Sequence, residues 1–290
     1  MSLDATPVVT RFAPSPTGYL HRGHAFSALT AAKAAADAGG RFLLRIEDID
    51  RARCRPEYED AIFQDLAWLG LAWEAPVRRQ SEHMDDYQSA LSRLRHDGLV
   101  YRCFRTRAEV MAEIATAPHG PAEAFIGAPL PAAEEGRRLD GGGPFAWRLS
   151  LAAARATLGP AFDALSFVEQ GSGPRGEHGL IAARAEAAGD VIVARKDLGV
   201  AYHLAVVVDD ALQGVTLVVR GADLFDAVPV QRLLQALLGL PEPAYRHHRI
   251  LVGPDGKRYA KRDRAETLRD IRARRLSAAS LRAELGFDRG

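Results

Sequence analysis

Near its amino terminus the chain carries the sequence VVTRFAPSPTGYLHRGH, at residues 8–24. Its first five residues are typical of a strand, and the turn residues at 14–18 break any regular element. The Ala-rich segment 25–38 favours a helix that Gly39 and Gly40 would end. Residues 41–46 are again typical of a strand. The order strand, loop, helix, strand predicts the βαβ unit of a parallel sheet.

Hydrophobic periodicity extends this α/β prediction along the chain. It predicts helices at 57–69, 84–96 and 230–238, and a short helical tail at 265–286. It predicts strands at 145–149, 191–195 and 216–220, with weaker candidates at 206–208 and 249–252. We expect residues 1–100 and 191–290 to form two halves of a nucleotide-binding α/β domain. Residues 101–190, poorly specified and rich in Pro and Gly, are predicted to be an inserted subdomain.

Composition excludes several classes of protein. With 290 residues, 47% of them hydrophobic, the chain is typical of a globular protein. Two cysteines are too few for a disulfide framework and fit a reducing cytoplasm. We find no signal peptide and no apolar run of about 18 residues, so we predict no membrane association.

Charge is balanced overall but not locally. The chain has 38 basic and 37 acidic residues, whereas residues 246–275 hold 11 Lys or Arg and 4 Asp or Glu. Such a stretch can bind a polyanion, although a solvated Arg-rich tail is the alternative.

The loop before the first predicted helix carries the first candidate chemistry. Ligands of open parallel sheets bind at the carboxyl ends of strands, and a helix N-terminus suits phosphate. Gly23 allows close approach of a nucleotide, and His21 and His24 can donate hydrogen bonds to phosphate oxygens. The segment is neither a dinucleotide fingerprint nor a Walker A loop. The alternative is that both histidines only cap the helix.

Residues 11–24 closely resemble the signature of class I glutamyl- and glutaminyl-tRNA synthetases, with His21-Arg22-Gly23-His24 in place of the HIGH motif. The resemblance extends to LRIEDID at 44–50, AYHLAVVVDD at 201–210 and VRGADL at 219–224. It implies a Rossmann-like, parallel-sheet catalytic domain that activates an amino acid with ATP.

The resemblance also implies which residues bind the amino acid. It assigns L-glutamate to Arg11, Phe12, Ala13, Pro14, Ser15, Glu47, Tyr202 and Arg220. Glu47 would hold the α-amino group. Arg220 is typical of glutamyl enzymes, because a guanidinium pairs with a carboxylate and not with a neutral amide. Whether Arg11 or Arg220 binds the side-chain carboxylate stays open.

Each assignment has a structural alternative. Glu47 would be part of an exposed salt-bridge cluster with Arg45, Asp48 and Arg51. Arg220 would pair with Asp223 at a strand end, and Tyr202 would be an ordinary core aromatic.

For ATP, the resemblance implies His21, Gly23, His24 and Lys261, with Mg²⁺ bound to the phosphates. The catalytic residues would be His21, His24 and Lys261. The family's KMSKS loop corresponds to residues 258–262, where Arg258 and Ala260 depart from the pattern. Lys257 would replace Lys261 if the register were shifted by one position. The alternative is a basic surface loop.

Fewer than 30 residues follow Arg262, too few for the anticodon-binding domain of a full glutamyl-tRNA synthetase. The chain therefore resembles short members of the family, which activate glutamate without tRNA. They esterify it to queuosine at the wobble position of tRNA(Asp). This implies the anticodon loop of tRNA(Asp) as partner and a monomeric enzyme.

Three alternatives stay open. They are a minimal enzyme that charges a tRNA 3′ end, a nucleotidylyltransferase, and a non-catalytic paralogue that binds tRNA or glutamate.

Many short members of the family have a zinc site that begins with a Cys-x-Cys pair. Here Cys103 holds the first position of such a pair, and Arg105 holds the position of the second Cys. His119 is the only His nearby. Tetrahedral zinc needs four N or S ligands. We therefore predict that zinc is absent, that packing alone holds the inserted subdomain, and that Cys54 is a structural thiol.

Overall fold

The computed structural model describes residues 7–115, 124–195, 199–252 and 266–287. Lys261, the rest of the KMSKS-like segment and His119 lie outside these residues. The strands are β1 (Val9–Phe12), β2 (Arg41–Ile46), β3 (Arg78–Arg79), β4 (Val100–Cys103), β5 (Ala146–Leu149), β6 (Ser166–Glu169), β7 (Gly179–Ala182), β8 (Ile192–Arg195), β9 (Gly199–Val200), β10 (Leu217–Gly221) and β11 (Ala244–His248). The α-helices are α1 (Arg22–Asp37), α2 (Pro56–Trp68), α3 (Met84–His96), α4 (Arg107–Ala115), α5 (Ala132–Asp140), α6 (Leu151–Leu158), α7 (Pro160–Asp163), α8 (Tyr202–Leu212), α9 (Val228–Leu238), α10 (Leu268–Ala273) and α11 (Ala278–Glu284).

Two sheets of mainly parallel strands meet at β1 and β10. One has the order β1-β2-β3 and is parallel throughout. The other has the order β10-β11-β6-β7, with only β7 antiparallel. The amide of Thr216 donates to the carbonyl of Val9 at 3.0 Å, so β1 and β10 lie side by side. The carboxyl ends of β1, β2, β10 and β11 therefore point to one edge, where ligands of such folds bind.

The predicted βαβ unit is confirmed, and α1 packs tightly against it. Ala25, Ala28 and Ala31 are fully buried, since small side chains let the helix approach β1 closely. The helix ends at Asp37, and Gly39 follows with a φ of +60°, a conformation that favours glycine.

Two elements differ from the prediction. Residues 206–208 lie in helix α8, although three consecutive valines favour a strand. All three are buried in the main core, and this burial outweighs the weak intrinsic preference. Among the described residues the last strand is β11, and residues 249–251 lie in no strand. Hydrophobic periodicity does not predict β11, because its sequence is AYRHH and Arg246, His247 and His248 give no apolar alternation.

The remaining sheet is antiparallel, with the order β4-β5-β8-β9. Strands β8 and β9 follow the predicted insertion, whereas β4 and β5 lie within it except for Val100. Strands β6 and β7 fall in the same stretch of sequence but pair with β11. The boundaries at residues 100 and 190 stay a prediction.

Asp190 is a buried hydrogen-bonding hub of this region. Its Oδ2 accepts from the Tyr101 hydroxyl at 2.8 Å and from the Gly127 amide at 2.9 Å, and its Oδ1 accepts from the Leu151 amide at 2.9 Å. One side chain thus joins three segments that are distant in sequence.

The predicted helical tail is confirmed as α10 and α11. Leu268, Ile271 and Leu281 are buried in the core that α1 and α2 share. Arg272 donates to Asp65 of α2 at 2.8 Å. Burial raises the pKa of Asp65 to about 6, although the charge of Arg272 opposes the shift. In the part of the chain that the structure describes, no helix is long and apolar enough to cross a bilayer.

Candidate active site

A cavity of about 590 Å³ opens at the carboxyl edge where β1 and β10 meet. This volume is in the range of small-ligand sites. Its lining includes the described residues that the sequence analysis singled out: Arg11, Phe12, Ala13, Pro14, Ser15, His21, Gly23, His24, Glu47, Tyr202 and Arg220. Five separate segments of the chain therefore converge on one site. Lys261 lies outside the described residues, so its position relative to the cavity stays a prediction.

His21 and His24 form the N-terminal cap of α1. Nδ1 of His21 accepts from the Gly23 amide, and Nδ1 of His24 accepts from the His21 amide, both at 3.1 Å. Because Nδ1 is an acceptor in each ring, the neutral form carries its proton on Nε2. Capping and phosphate binding are therefore compatible, since they use different nitrogens. A Cβ at residue 23 would lie 3.0 Å from the His21 ring, so glycine keeps the cap compact.

Arg11 is already paired with an acid. Its Nε and Nη2 donate to the two carboxylate oxygens of Asp210, at 3.0 and 3.3 Å, although the residues are 199 positions apart. Although burial opposes it, Arg11 and Arg45 hold the pKa of Asp210 below its ordinary value. The charge of Arg11 is thus largely neutralised within the protein.

Arg45 connects this pair to Glu47. The fully buried guanidinium donates to Asp210 at 2.7 Å and to Oε1 of Glu47 at 3.1 Å, and lies 3.6 Å from Asp209. Asp209 in turn accepts from Arg78 at 2.7 Å. Three arginines and three acids therefore balance one another beneath the cavity floor.

Glu47 is the acidic group of this cluster that lines the cavity. Burial raises its pKa, although the charges of Arg45 and Arg11 oppose the shift. A cation that entered the cavity would stabilise the ionised carboxylate. Of the alternative exposed salt-bridge cluster, only the Arg45–Glu47 contact forms, and it is buried. Asp48 and Arg51 bind Ser81 instead.

Arg220 differs from Arg11 because it has no acidic partner among the described residues. Its guanidinium donates to Nε2 of His247 at 3.2 Å, to the Leu224 carbonyl at 3.0 Å and to the Tyr202 hydroxyl at 3.4 Å. It is only 5% exposed. The alternative pairing with Asp223 is not formed. Tyr202 is 36% exposed at the cavity wall, so it is not an ordinary core aromatic.

Sequence reasoning missed part of the site. His248, Arg249, Ile250 and Leu251 also line the cavity. The sequence pattern predicts a strand over 249–252 and assigns no role to His248. Asp209 and Asp210 belong to a quoted motif, yet nothing local indicates that they neutralise Arg45 and Arg11. For His247, the one sequence signal was the cluster of polar residues in β11, which is unusual for a buried strand.

The parallel sheet, the capped helix and a cavity with opposed charges at the carboxyl edge define an α/β domain with a small-ligand site. The chain belongs to the family described as tRNA synthetases class I (E and Q), whose catalytic-domain model matches residues 7–123 and 177–277.

Its relatives include two proteins named glutamyl-Q tRNA(Asp) synthetase. The one from Rhodobacter capsulatus is 46% identical over 288 residues, covering 97% of this chain and 100% of that protein. The one from Symbiobacterium thermophilum is 43% identical, covering 96% and 85%. A crystal structure of a glutamate tRNA ligase from Elizabethkingia meningosepticum, in complex with its amino acid, matches with a TM-score of 0.70. That match has 28% sequence identity and covers 88% of this chain and 52% of that one.

Proposed function

We propose that this protein activates L-glutamate with MgATP to form glutamyl-adenylate, and then transfers glutamate to queuosine at the wobble position of tRNA(Asp). The observation that carries the proposal is the buried Arg220, without an acidic partner among the described residues, in the same cavity as Glu47. The names of the two relatives support the acceptor.

Arg220 binds the side-chain carboxylate of glutamate in this proposal. Arg11 is less suited, because Asp210 already occupies the Nε–Nη2 edge of its guanidinium and neutralises its charge. A carboxylate at Arg220 forms a charge-assisted pair, whereas an amide leaves the buried cation without a counter-charge. Tyr202 completes this end of the cavity, and Glu47 receives the α-ammonium. Phe12, Ala13, Pro14 and Ser15 form the wall beside it.

ATP occupies the part of the cavity next to α1. Gly23 permits close approach of the phosphates, and Nε2–H of His21 and of His24 donates to their oxygens as charge develops. Lys261 approaches from the KMSKS-like segment. In this proposal magnesium enters as its complex with ATP.

The reaction needs no protein nucleophile. The α-carboxylate of glutamate attacks the α-phosphorus in line, and pyrophosphate leaves. Positioning and charge stabilisation by the residues above supply the catalysis. A ring hydroxyl of queuosine then attacks the mixed anhydride and releases AMP.

The acceptor RNA is bound by the basic C-terminal stretch. Arg269 lies over the Tyr19 ring at 5.1 Å and donates to its hydroxyl at 2.7 Å, which holds a cation of this stretch against the loop that precedes α1. We expect binding to weaken with salt, as phosphate contacts require. The enzyme acts as a monomer in the cytoplasm, where the free thiols of Cys54 and Cys103 stay reduced.

The decisive experiment incubates the protein with MgATP, radiolabelled glutamate and one of three RNAs. These are queuosine-containing tRNA(Asp), unmodified tRNA(Asp) and tRNA(Glu). We expect label only on the first. Label on tRNA(Glu) would indicate the minimal charging enzyme instead. No label, together with no glutamate-dependent pyrophosphate exchange, would leave a binding paralogue.

We propose that no zinc holds the inserted region. Cys103 packs in an apolar cluster with Tyr101, Val110 and Phe125, and the Arg105 guanidinium lies 5.7 Å from the Phe125 ring centre. A single thiol packed among apolar side chains, with an Arg in the second position of the pair, does not supply the four N or S ligands of a tetrahedral site.

Asp190→Asn is expected to destabilise the protein by about 1–3 kcal/mol. The side-chain NH₂ group would face at least one of the hydrogen-bond donors from which Asp190 now accepts. A chelator is expected to leave stability unchanged. Urea unfolding of both proteins, with and without the chelator, measures both effects. A chelator-induced loss of stability in the wild type would show that a metal is structural after all.

A further inference from the structure

Behind Arg220, away from the cavity, lies a fully buried pair formed by His247 and Glu169. Nε of Arg220 donates to Nε2 of His247 at 3.2 Å, and Nδ1 of His247 lies 2.5 Å from Oε2 of Glu169. Neither residue is part of the cavity lining. The three side chains form a line that begins at the cavity wall and ends in the core.

The direction of these bonds fixes the proton on His247. Arg Nε can only donate, so Nε2 of His247 must carry the lone pair and Nδ1 the proton, which it donates to Glu169. The pKa of His247 is lowered, mainly by burial and further by the charge of Arg220. Although burial opposes it, the hydrogen bonds from His247 hold the pKa of Glu169 below its ordinary value. A neutral imidazole thus separates a cation from an anion.

The pair is held rigidly by the strands that carry it. Oε1 of Glu169 accepts from the amides of His247 at 2.8 Å and Gly171 at 2.7 Å. A Cβ at residue 171 would lie 2.2 Å from the His247 carbonyl oxygen, so only glycine fits there. The rings of Tyr245 and Phe225 flank the imidazole, with centres 6.1 and 5.1 Å away.

This arrangement gives Arg220 an orientation without neutralising it. An acid in direct contact, as Asp210 is with Arg11, would compete with any carboxylate that entered the cavity. A neutral acceptor at Nε instead fixes the plane of the guanidinium and leaves its charge to a ligand.

We propose that His247, held by Glu169, is the positioning residue that keeps Arg220 ready for the side-chain carboxylate of the amino acid, and so sets the preference for glutamate over glutamine. This inference rests on the proposed function, in which the cavity binds glutamate.

A matched pair of variants tests it. In His247→Asn the amide NH₂ can still donate to Glu169, but nothing occupies the position of Nε2. In His247→Gln the longer side chain places a carbonyl oxygen there, which can accept from Arg220. Calorimetry gives the Kd values of glutamate and glutamine, and pyrophosphate exchange gives the KM values of glutamate and ATP.

We expect His247→Asn to weaken glutamate binding at least tenfold and to lower the glutamate-to-glutamine preference, with the KM of ATP changed less than twofold. His247→Gln is expected to keep glutamate affinity within about threefold of the wild type, since one hydrogen bond to a charged group is retained. His96→Asn, exposed at the end of α3, is the control and should match the wild type.

Equal losses in the Asn and Gln variants, or a parallel rise in the KM of ATP, would show a merely structural role and overturn the proposal. If His247→Asn does not fold, Glu169→Gln decides, and it too must weaken glutamate without affecting ATP. A wild type that binds glutamate but shows no exchange disproves adenylate formation, while the calorimetric comparison still tests His247. A wild type that binds no glutamate overturns both.

Discussion

Arg220→Gln is expected to reduce kcat/KM for glutamate activation by about 100- to 1000-fold. Removing one partner of a buried, hydrogen-bonded charge pair costs about 2–5 kcal/mol, and each 1.4 kcal/mol is about tenfold in rate. The loss should appear mainly in the KM of glutamate, because the guanidinium contacts a part of the substrate that does not react. Discrimination between glutamate and glutamine should nearly disappear, since the uncharged side chain at position 220 no longer favours the substrate that carries a carboxylate.

Glutamate-dependent ATP–pyrophosphate exchange measures this effect without any tRNA. Arg246→Gln is the matched control, because Arg246 lies in the neighbouring strand and donates to Gln170 at 3.0 Å, outside the cavity lining. An unchanged KM for glutamate in Arg220→Gln would assign the carboxylate to Arg11 instead.

Asp210→Asn is expected to lower the free energy of unfolding by about 3–5 kcal/mol, the range for breaking a buried ion pair from one side. Asp210 accepts hydrogen bonds from both Arg11 and Arg45, so its neutralisation leaves the buried cluster with excess positive charge. The side-chain NH₂ group of the variant would also face the N–H donors of Arg11 or Arg45, so a hydrogen bond would be lost.

Urea unfolding near neutral pH measures the change. Asp37→Asn provides the comparison, because the exposed Lys33–Asp37 pair on α1 contributes only about 0.3–0.5 kcal/mol. A similar, small loss in both variants would mean that water or a rearranged neighbour replaces Asp210.

The first βαβ unit could be predicted from the sequence because its signals are local. A Pro-rich loop, an Ala-rich helix and two glycines all favour the same boundaries, and the structure places β2 at the predicted residues 41–46. The cavity-lining residues of this unit were found for the same reason.

What sequence reasoning missed depends on contacts between distant segments. Strand β6 has four residues and pairs with β11, where Glu169 lies opposite Tyr245. No local pattern indicates that Glu169 lies behind Arg220. Nor does any local pattern indicate that the guanidinium of Arg11 pairs with Asp210 and not with a ligand. Such pairs form only when the strands assemble, and their chemistry cannot be read from either segment alone.

The cap of α1 couples the fraying of this helix to the position of His21 and His24. Helix ends fray more readily than helix centres, and here the bonds that resist fraying belong to His21 and His24. If the two imidazoles bind the nucleotide, as we propose, an excursion that releases the first turn would also move them away from it. On the proposed function, amide hydrogen exchange at Gly23 would report how often the first turn is open, and a nucleotide that binds only the closed form would lower the exchange rate in proportion to the fraction of protein left unbound.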